Sequence, residues 1–257
     1  MKYSIEKIQE FNDFRANLKS KHQALLSKIS ALNSNLSNEN AREFLMQGAG
    51  RRLKTITRCL ENIFEVFPVD REEKLSGDEL SDIAIYIHSY FINIAGLFDN
   101  LGWVFIYEND LYGKPRDNKI NRHGVGLFNG KTQARLKPEL AAYLTEESIS
   151  SWYENYSKGY RDALAHRVPI YVPPAVLNEE EAESYRAIEQ DIGQLDLSKP
   201  EDIDKWGEMI GAQNALGSIS MFFAHSSGEN DPALLHAQLV CDYLTVEEVM
   251  DMFCTHF

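Results

Sequence analysis

Cysteine is scarce in this chain, and its arrangement excludes the usual cysteine-based sites. The three cysteines, Cys59, Cys241 and Cys254, lie far apart and form no C-x-x-C pair. Structural zinc sites and redox dithiols need such closely spaced pairs, and His225 and His236 add no standard ligand spacing. We therefore expect no metal and no cofactor, and free cysteines suit a reducing cytosol.

Positive charge is also in short supply. The chain has 26 Lys and Arg residues against 39 Asp and Glu residues, a formal net charge of −13. Non-specific binding to nucleic acid depends on clustered Lys and Arg side chains that displace counterions from phosphates. The overall composition therefore opposes such binding, and any contact with RNA must be made by a local basic surface.

Long uninterrupted apolar runs are missing as well. The longest apolar stretch, about 83–106, is broken by His88, Asn93, Asp99 and Asn100, which would be costly inside a lipid bilayer. The first seven residues mix acidic and basic side chains and lack the apolar segment of a secretory signal. We expect a cytoplasmic protein with no membrane segment.

What the sequence does contain is helical periodicity. Apolar residues recur at helical spacing over 5–32, and the longest apolar stretch is expected to form the central helix. Helix-capping patterns, in which Glu follows Ser, Asn or Thr by three residues, occur at Ser76 with Glu79, Asn178 with Glu181 and Thr245 with Glu248. The prediction is an all-α helical bundle with long antiparallel helices.

Two stretches, 168–174 and 124–128, depart from this periodicity. The first contains three prolines, which push the residues before them into extended backbone, so we expect an extended segment or a small hairpin there. The second is the other plausible strand. We treat 1–257 as one all-α domain, subdivided into an N-terminal helical pair at 1–67 and a helical core at 76–257.

Residues 111–137 form a long aperiodic segment rich in positive charge. A loop of this length in a folded domain is usually functional. It could track an RNA backbone, or it could be a solvated surface loop. Its seven basic residues, against the single acid Asp117, are Lys114, Arg116, Lys119, Arg122, Lys131, Arg135 and Lys137. His123 lies among them.

The most specific feature is a short motif just before Pro169. It reads Arg161-Asp162-Ala163-Leu164-Ala165-His166 and falls at the expected C-terminus of a helix. Arg161 and His166 are about 140° apart on an ideal helix, so they converge only if the last turn distorts or a second chain completes the pair. An arginine is suited to holding a phosphodiester, and a histidine can move a proton near neutral pH.

This motif resembles that of the HEPN superfamily of helical ribonucleases and RNA-binding domains. In that family an Arg, a polar residue and a His four to six positions after the Arg lie at a helix end. The resemblance implies a homodimer whose two motifs face each other, and metal-independent RNA cleavage in toxin or phage-defence systems, with an antitoxin-like protein as a further partner. Arg161, Asp162 and His166 would be the catalytic residues.

Other residues are assigned to the same hypothesis. Asp99 and Asn100 lie in the apolar helix, where they could orient the motif or simply bond to a loop backbone. Tyr160 is added as a supporting residue. The predicted RNA-binding set is Lys114, Arg116, Lys119, Arg122, His123 and Arg167.

A structural interpretation of the motif is equally open. Arg161, Asp162, His166 and Arg167 could form ion pairs that cap the helix, since cations are favoured near a helix C-terminus. The chain would then be a non-catalytic helical interaction protein, with its long N-terminal helices as the partner surface.

Overall fold

Helices make up most of the chain in the computed structural model, which describes residues 3–224 and 232–257. The α-helices are α1 (Ile5–Asn35), α2 (Glu39–Glu43), α3 (Gly50–Val66), α4 (Gly77–Glu108), α5 (Gly130–Gln133), α6 (Pro138–Thr145), α7 (Glu147–Trp152), α8 (Lys158–His166), α9 (Glu179–Ile192), α10 (Pro200–Ala215) and α11 (Leu235–His256). Two π-helical segments, Phe44–Ala49 and Tyr153–Ser157, precede α3 and α8. The prediction of an all-α bundle is confirmed.

The core lies between α1, α3, α4 and α11. Phe14 of α1 makes an edge contact with Tyr243 of α11, with ring centroids 5.6 Å apart. The hydroxyl group of Tyr90 on α4 donates a hydrogen bond of 2.7 Å to the carbonyl oxygen of Leu239 on α11. One apolar cluster therefore runs from the N-terminal helices through α4 to the last helix. Residues 3–67 thus share a single core with the rest of the described chain.

Helix α4 is the central element, and its start follows the predicted cap. The Ser76 hydroxyl accepts a hydrogen bond from the Glu79 backbone, and the Glu79 carboxylate accepts one from the Ser76 backbone. Among the described residues, α4 is the one helix long and apolar enough to cross a membrane by length and composition, and 39% of its most apolar window is buried inside the protein. His88 also bonds to the Ile170 carbonyl at 2.6 Å. The contacts of α4 with α3 and α8 place it at the centre of the bundle.

The capping pattern at Thr245 does not start a helix. Thr245 lies in the middle of α11, where its hydroxyl group donates to the Cys241 carbonyl at 3.0 Å. The apolar residues on both sides of Thr245 bury the same helix face, so tertiary packing overrides a local capping preference.

The extended segment predicted at 168–174 is present. Tyr171 pairs with Ala224 and Val176 with Ser218, so the segment lies along the strand side of the bundle. The two short strands, β1 (Phe222–Phe223) and β2 (Ala233–Leu234), form an antiparallel pair with Phe222 opposite Leu234. No clear sequence signal marks these two strands.

Residues 124–128 are not a strand, because this part of the long loop folds directly onto α4. The Leu127 backbone N–H donates to the Phe98 carbonyl at 3.4 Å, and Leu127 is fully buried. Gly102 of α4 and Gly126 of the loop make this approach possible, since a Cβ atom on Gly102 would lie 2.7 Å from the Gly126 backbone. Gly126 itself has a φ of 151°, which favours glycine.

Replacing Gly102 by valine is expected to push the loop off α4 and to lower the free energy of unfolding by about 2 kcal/mol. The colliding atoms are backbone atoms, which cannot move aside as a flexible side chain can. Gly207 in α10 is the matched control, since an added Cβ there meets no atom within 4 Å. Chemical denaturation of Gly102→Val and Gly207→Val would test this, and equal stabilities would contradict it.

Candidate functional site

Helix α8 carries the motif and stays regular to its end. The Arg167 backbone N–H still donates to the Ala163 carbonyl at 3.0 Å, although Arg167 has left the helix with extended dihedral angles. The irregular turn is instead the π-helical segment Tyr153–Ser157, ahead of α8. Arg161 and His166 therefore keep the separation of about 140° expected on an ideal helix.

Arg161 lies in a cleft of about 370 Å³ between α4, the long loop and the Tyr153–Lys158 turn, which we name the Arg161 cleft. Asp99 contributes from α4 and Asn129 from the loop, while Tyr153 and Lys158 come from the same helical stretch as Arg161. The cleft thus joins three parts of the chain that are distant in sequence.

The charges in the Arg161 cleft are coupled. Nε of Arg161 donates a hydrogen bond of 2.8 Å to one oxygen of Asp162, Nη2 lies 2.8 Å from the same oxygen, and both side chains are 38% exposed. Loss of surrounding water raises the pKa of Asp99, although the positive charge of Arg161 opposes this shift. The pKa of Tyr153 is raised to about 12, first by burial and then by Asp99. An arginine, a carboxyl group and a phenol therefore share this cleft.

Asp162 and its neighbours line a different cleft, on the other side of α8. This second cleft has a volume of about 480 Å³ and includes Tyr160, Asp162, Arg167 and Phe223. Tyr160 is buried, with its ring centroid 4.4 Å from that of Phe91 and 5.3 Å from that of Phe223, and burial raises its pKa well above the usual range. Its role here is to pack α8 onto α4.

His166 lines neither of these two clefts. It is exposed at the last position of α8, and its side chain makes no hydrogen bond or ion pair with another described residue. One chain therefore does not bring Arg161 and His166 to a common cleft, and a complete pair would require a second chain.

Part of the basic loop reaches the rim of the Arg161 cleft. The Asn129 side chain, which lines the cleft, donates to the His123 carbonyl at 3.4 Å. The exposed Arg122 and Lys131 lie on either side of this contact in sequence. Lys114 is exposed nearer the start of the loop, and Lys119 bonds to Asp110 at 2.6 Å. Of the predicted RNA-binding residues, His123 thus contacts the cleft-lining Asn129, Lys119 lies beyond the end of α4, and Arg167 lines the second cleft.

The remaining basic residues of the loop have other surroundings. Arg135 bonds to the Asn118 side chain at 2.5 Å, and Lys137 donates to the Phe257 carbonyl oxygen. The side chain of Arg116 lies outside the described part of the structure.

Asn100 supports a different arginine from the one expected. Its side-chain oxygen accepts a hydrogen bond of 3.0 Å from Nε of Arg52, whose Nη1 donates to Asn93 at 3.2 Å. The Arg52 guanidinium occupies the space left by Gly96, where a Cβ atom would lie 2.4 Å from it. Arg52 also opposes the raised pKa of Asp99, so this arginine, overlooked in the sequence, adds positive potential behind the cleft.

Two further cleft residues were overlooked. Lys158 lies three residues before Arg161 and therefore on the same helix face, a signal that the sequence does contain. Tyr153 lies in the π-helical turn, whose altered residue spacing cannot be read from sequence. Only the structure shows that Tyr153 lines the cleft.

No group of three or more His, Cys, Asp or Glu side chains in the described ranges 3–224 and 232–257 could hold a metal ion. His236 is buried and bonds to the Phe67 carbonyl through Nε2 at 2.7 Å. His225 lies outside the described residues.

No protein-family model, curated protein or solved structure matches this chain. The resemblance to the HEPN superfamily consequently depends on the motif at Arg161–His166 and on the all-α arrangement around it.

Proposed function

We propose that this chain is a HEPN-like RNA-binding protein that cleaves RNA without a metal ion. The observation that carries the proposal is the position of Arg161. It lies beside Lys158 in a cleft whose opposite wall is formed by uncharged residues between 125 and 130 of the basic 111–137 segment. Arginine offers a planar set of donors that fits a phosphate group, and lysine adds a second positive charge.

The cations in the cleft are accessible to a competing phosphate. Arg161 is paired with Asp162, and Lys158 with Glu154, but all four side chains are about two-fifths to one-half exposed. Partly exposed ion pairs contribute little to stability. An RNA phosphate can therefore replace a carboxylate at modest cost.

The acidity of the chain is concentrated away from this loop. The α9–α10 region, 178–216, contains eleven acidic and three basic residues, whereas 111–137 contains one acidic and seven basic residues. A net charge of −13 therefore coexists with a basic surface. This segregation supports local binding to RNA.

Cleavage as proposed requires a homodimer, because Arg161 and His166 do not share a cleft within one chain. Ile85 and Ile92 support such pairing. They are 62% and 39% exposed on α4, and steps of seven residues place them on nearly the same face as Asp99. A second copy covering this apolar stripe would lie beside the Arg161 cleft.

In the proposed reaction the RNA 2′-oxygen attacks the adjacent phosphorus as the bond from phosphorus to the 5′-oxygen breaks. His166 of one copy moves a proton to or from these oxygens, and Arg161 of the other stabilises the charge on the phosphate. The products are a 2′,3′-cyclic phosphate and a 5′-hydroxyl end. By the same resemblance we assign the protein to a cytoplasmic toxin or phage-defence system, with an antitoxin-like partner.

The first test is RNA binding. Arg161→Ala is expected to weaken binding of a labelled mixed-sequence RNA about tenfold, because it removes charge-assisted hydrogen bonds to phosphate. Fluorescence anisotropy at low salt with excess chelator measures this change. Arg58→Ala is the matched control, since Arg58 is an exposed arginine paired with Glu61 on α3.

Equal affinities of the wild type and Arg161→Ala would contradict the assignment of Arg161. Absence of RNA binding by the wild type at low salt would contradict the whole proposal and leave the second candidate.

That second candidate is a non-catalytic helical interaction protein, and one observation favours it. The residues of α9 are all described and none is buried, while Ile203 and Trp206 of α10 are 50% and 41% exposed. The apolar stripe of α1, by contrast, is already buried against α3 and α11. A partner protein would therefore meet α9 and α10. The sequence had instead suggested the long N-terminal helices as the partner surface.

A further inference from the structure

A smaller pocket of about 260 Å³ adjoins the Arg161 cleft. Phe128, Tyr153 and Glu154 line both cavities. The smaller pocket is completed by Gln133 of α5, by Leu144 and by the hydroxyl residues Thr145 and Ser150. We name it the Gln133 pocket. A group bound in it would be separated from a phosphate bound at Arg161 only by the side chains that line both cavities.

The shared wall is aromatic. The rings of Phe128 and Tyr153 are stacked, with centroids 4.0 Å apart and planes 7° apart. Both residues are half-buried, and Leu144 is fully buried at the base of the pocket. Flat aromatic and apolar surfaces of this kind are where proteins place unpaired nucleobases.

Some polar side chains in the pocket already form hydrogen bonds within the protein, and one does not. The Thr145 hydroxyl donates to the Ala141 carbonyl at 2.8 Å, and the Ser150 hydroxyl donates to the Glu147 carbonyl at 3.4 Å. The half-buried Gln133 carboxamide makes no hydrogen bond with any described residue. It therefore has an acceptor and two donors available for a ligand.

The carboxamide matches the Hoogsteen edge of adenine. Adenine presents an N7 acceptor beside an N6 donor, and a glutamine side chain can bind both at once. On its Hoogsteen edge guanine presents two acceptors, N7 and O6, which do not match the paired donor and acceptor of a carboxamide. Pyrimidines would cover less of the aromatic wall than a purine does.

We propose that the Gln133 pocket binds an adenine base next to the phosphate held at Arg161. This inference rests on the proposed RNA-binding function and specifies which base the bound RNA carries at this position.

The test measures affinities of the full chain for labelled A, U and C homo-oligonucleotides of about ten residues, in excess chelator. Wild type is expected to bind the A oligonucleotide about tenfold more tightly than the other two. Gln133→Leu keeps the size of the side chain but removes its hydrogen-bonding groups. It should lower the preference to less than about threefold without changing the affinities for U and C.

Two controls separate the base pocket from the phosphate cleft. Gln190→Leu makes the same change on the exposed face of α9 and should leave all three affinities unchanged. Arg161→Ala should weaken all three by a similar factor, since it acts on the phosphate.

Equal wild-type affinities for the three RNAs, together with an effect of Arg161→Ala, would overturn the adenine assignment and leave the proposed function standing. An adenine preference that survives Gln133→Leu would overturn it as well. Absence of binding to all three RNAs would overturn both.

Discussion

Replacing His166 by alanine is expected to lower the rate of RNA cleavage in excess chelator by about 10²-fold or more, the usual contribution of a general acid or base. His166 is exposed and lies outside the Arg161 cleft, so RNA affinity should change by less than about twofold in the same variant. The measurement is conversion of a mixed RNA pool to products with 2′,3′-cyclic phosphate ends.

His256→Ala provides the control, because His256 is also the last residue of a helix, α11. It should cleave like the wild type. If His166→Ala also cleaves like the wild type, His166 is not the proton-transfer group. If the wild type binds RNA and does not cleave it, the protein is an RNA-binding protein only.

The two-chain requirement has its own test, in which the Arg161→Ala and His166→Ala variants are mixed. In a shared site, half of the sites in each mixed dimer contain both intact residues, so random exchange should restore about a quarter of the wild-type rate. A site built within one chain would gain nothing from mixing. The regular geometry of α8 is the reason to expect recovery.

The fold was largely predictable from sequence because its signals are local and periodic. The caps at Ser76 and Asn178 both form the expected reciprocal hydrogen bonds. The extended segment near 168–174 follows from its prolines. The helix start predicted at Thr245 was wrong because a short capping signal competes with the continuous apolar face of α11. Burial of that face contributes more to stability than one capping hydrogen bond does.

The site was predictable only in part, because it depends on contacts between distant segments. The sequence pointed to Arg161 and to the basic loop separately, and Gly102 and Gly126 bring the loop onto α4 beside Arg161. Single glycines in a helix and a loop give no indication that they will meet. Tyr153 and Arg52 were missed for the same reason. A π-helical turn positions Tyr153, and the surface of the neighbouring helix α4 positions Arg52.

A buried carboxyl group, Asp242 of α11, is expected to give the largest dependence of stability on pH. One of its oxygens accepts hydrogen bonds from Trp152 at 2.7 Å and Gln238 at 2.8 Å, and the other has no partner among the described residues. Burial raises the pKa of Asp242 from 3.8 to about 7, although these two bonds oppose the shift. The folded protein therefore keeps this group protonated where an unfolded chain would release the proton.

The stabilising effect of the raised pKa is fully present below pH 3.8 and is lost as the pH rises to about 7. Over that interval the unfolded chain binds one proton fewer than the folded protein, which lowers the free energy of unfolding by about 4 kcal/mol. Asp242→Asn removes the titration and retains an oxygen for Trp152 and Gln238. The stability of the wild type relative to this variant should therefore fall by about 4 kcal/mol between pH 4 and pH 7.5.

Chemical denaturation across this pH range measures the difference, with Asp251→Asn as control, because Asp251 lies on the same helix but is exposed and paired with Lys28. The lowered pKa of the buried His236, about 4, is common to all variants and cancels in the comparison. Parallel stability curves for the wild type and Asp242→Asn would show that the carboxyl group titrates normally. Because Trp152 directly precedes the π-helical turn that leads to Arg161, a charged Asp242 at neutral pH should destabilise the part of the bundle that holds the motif helix.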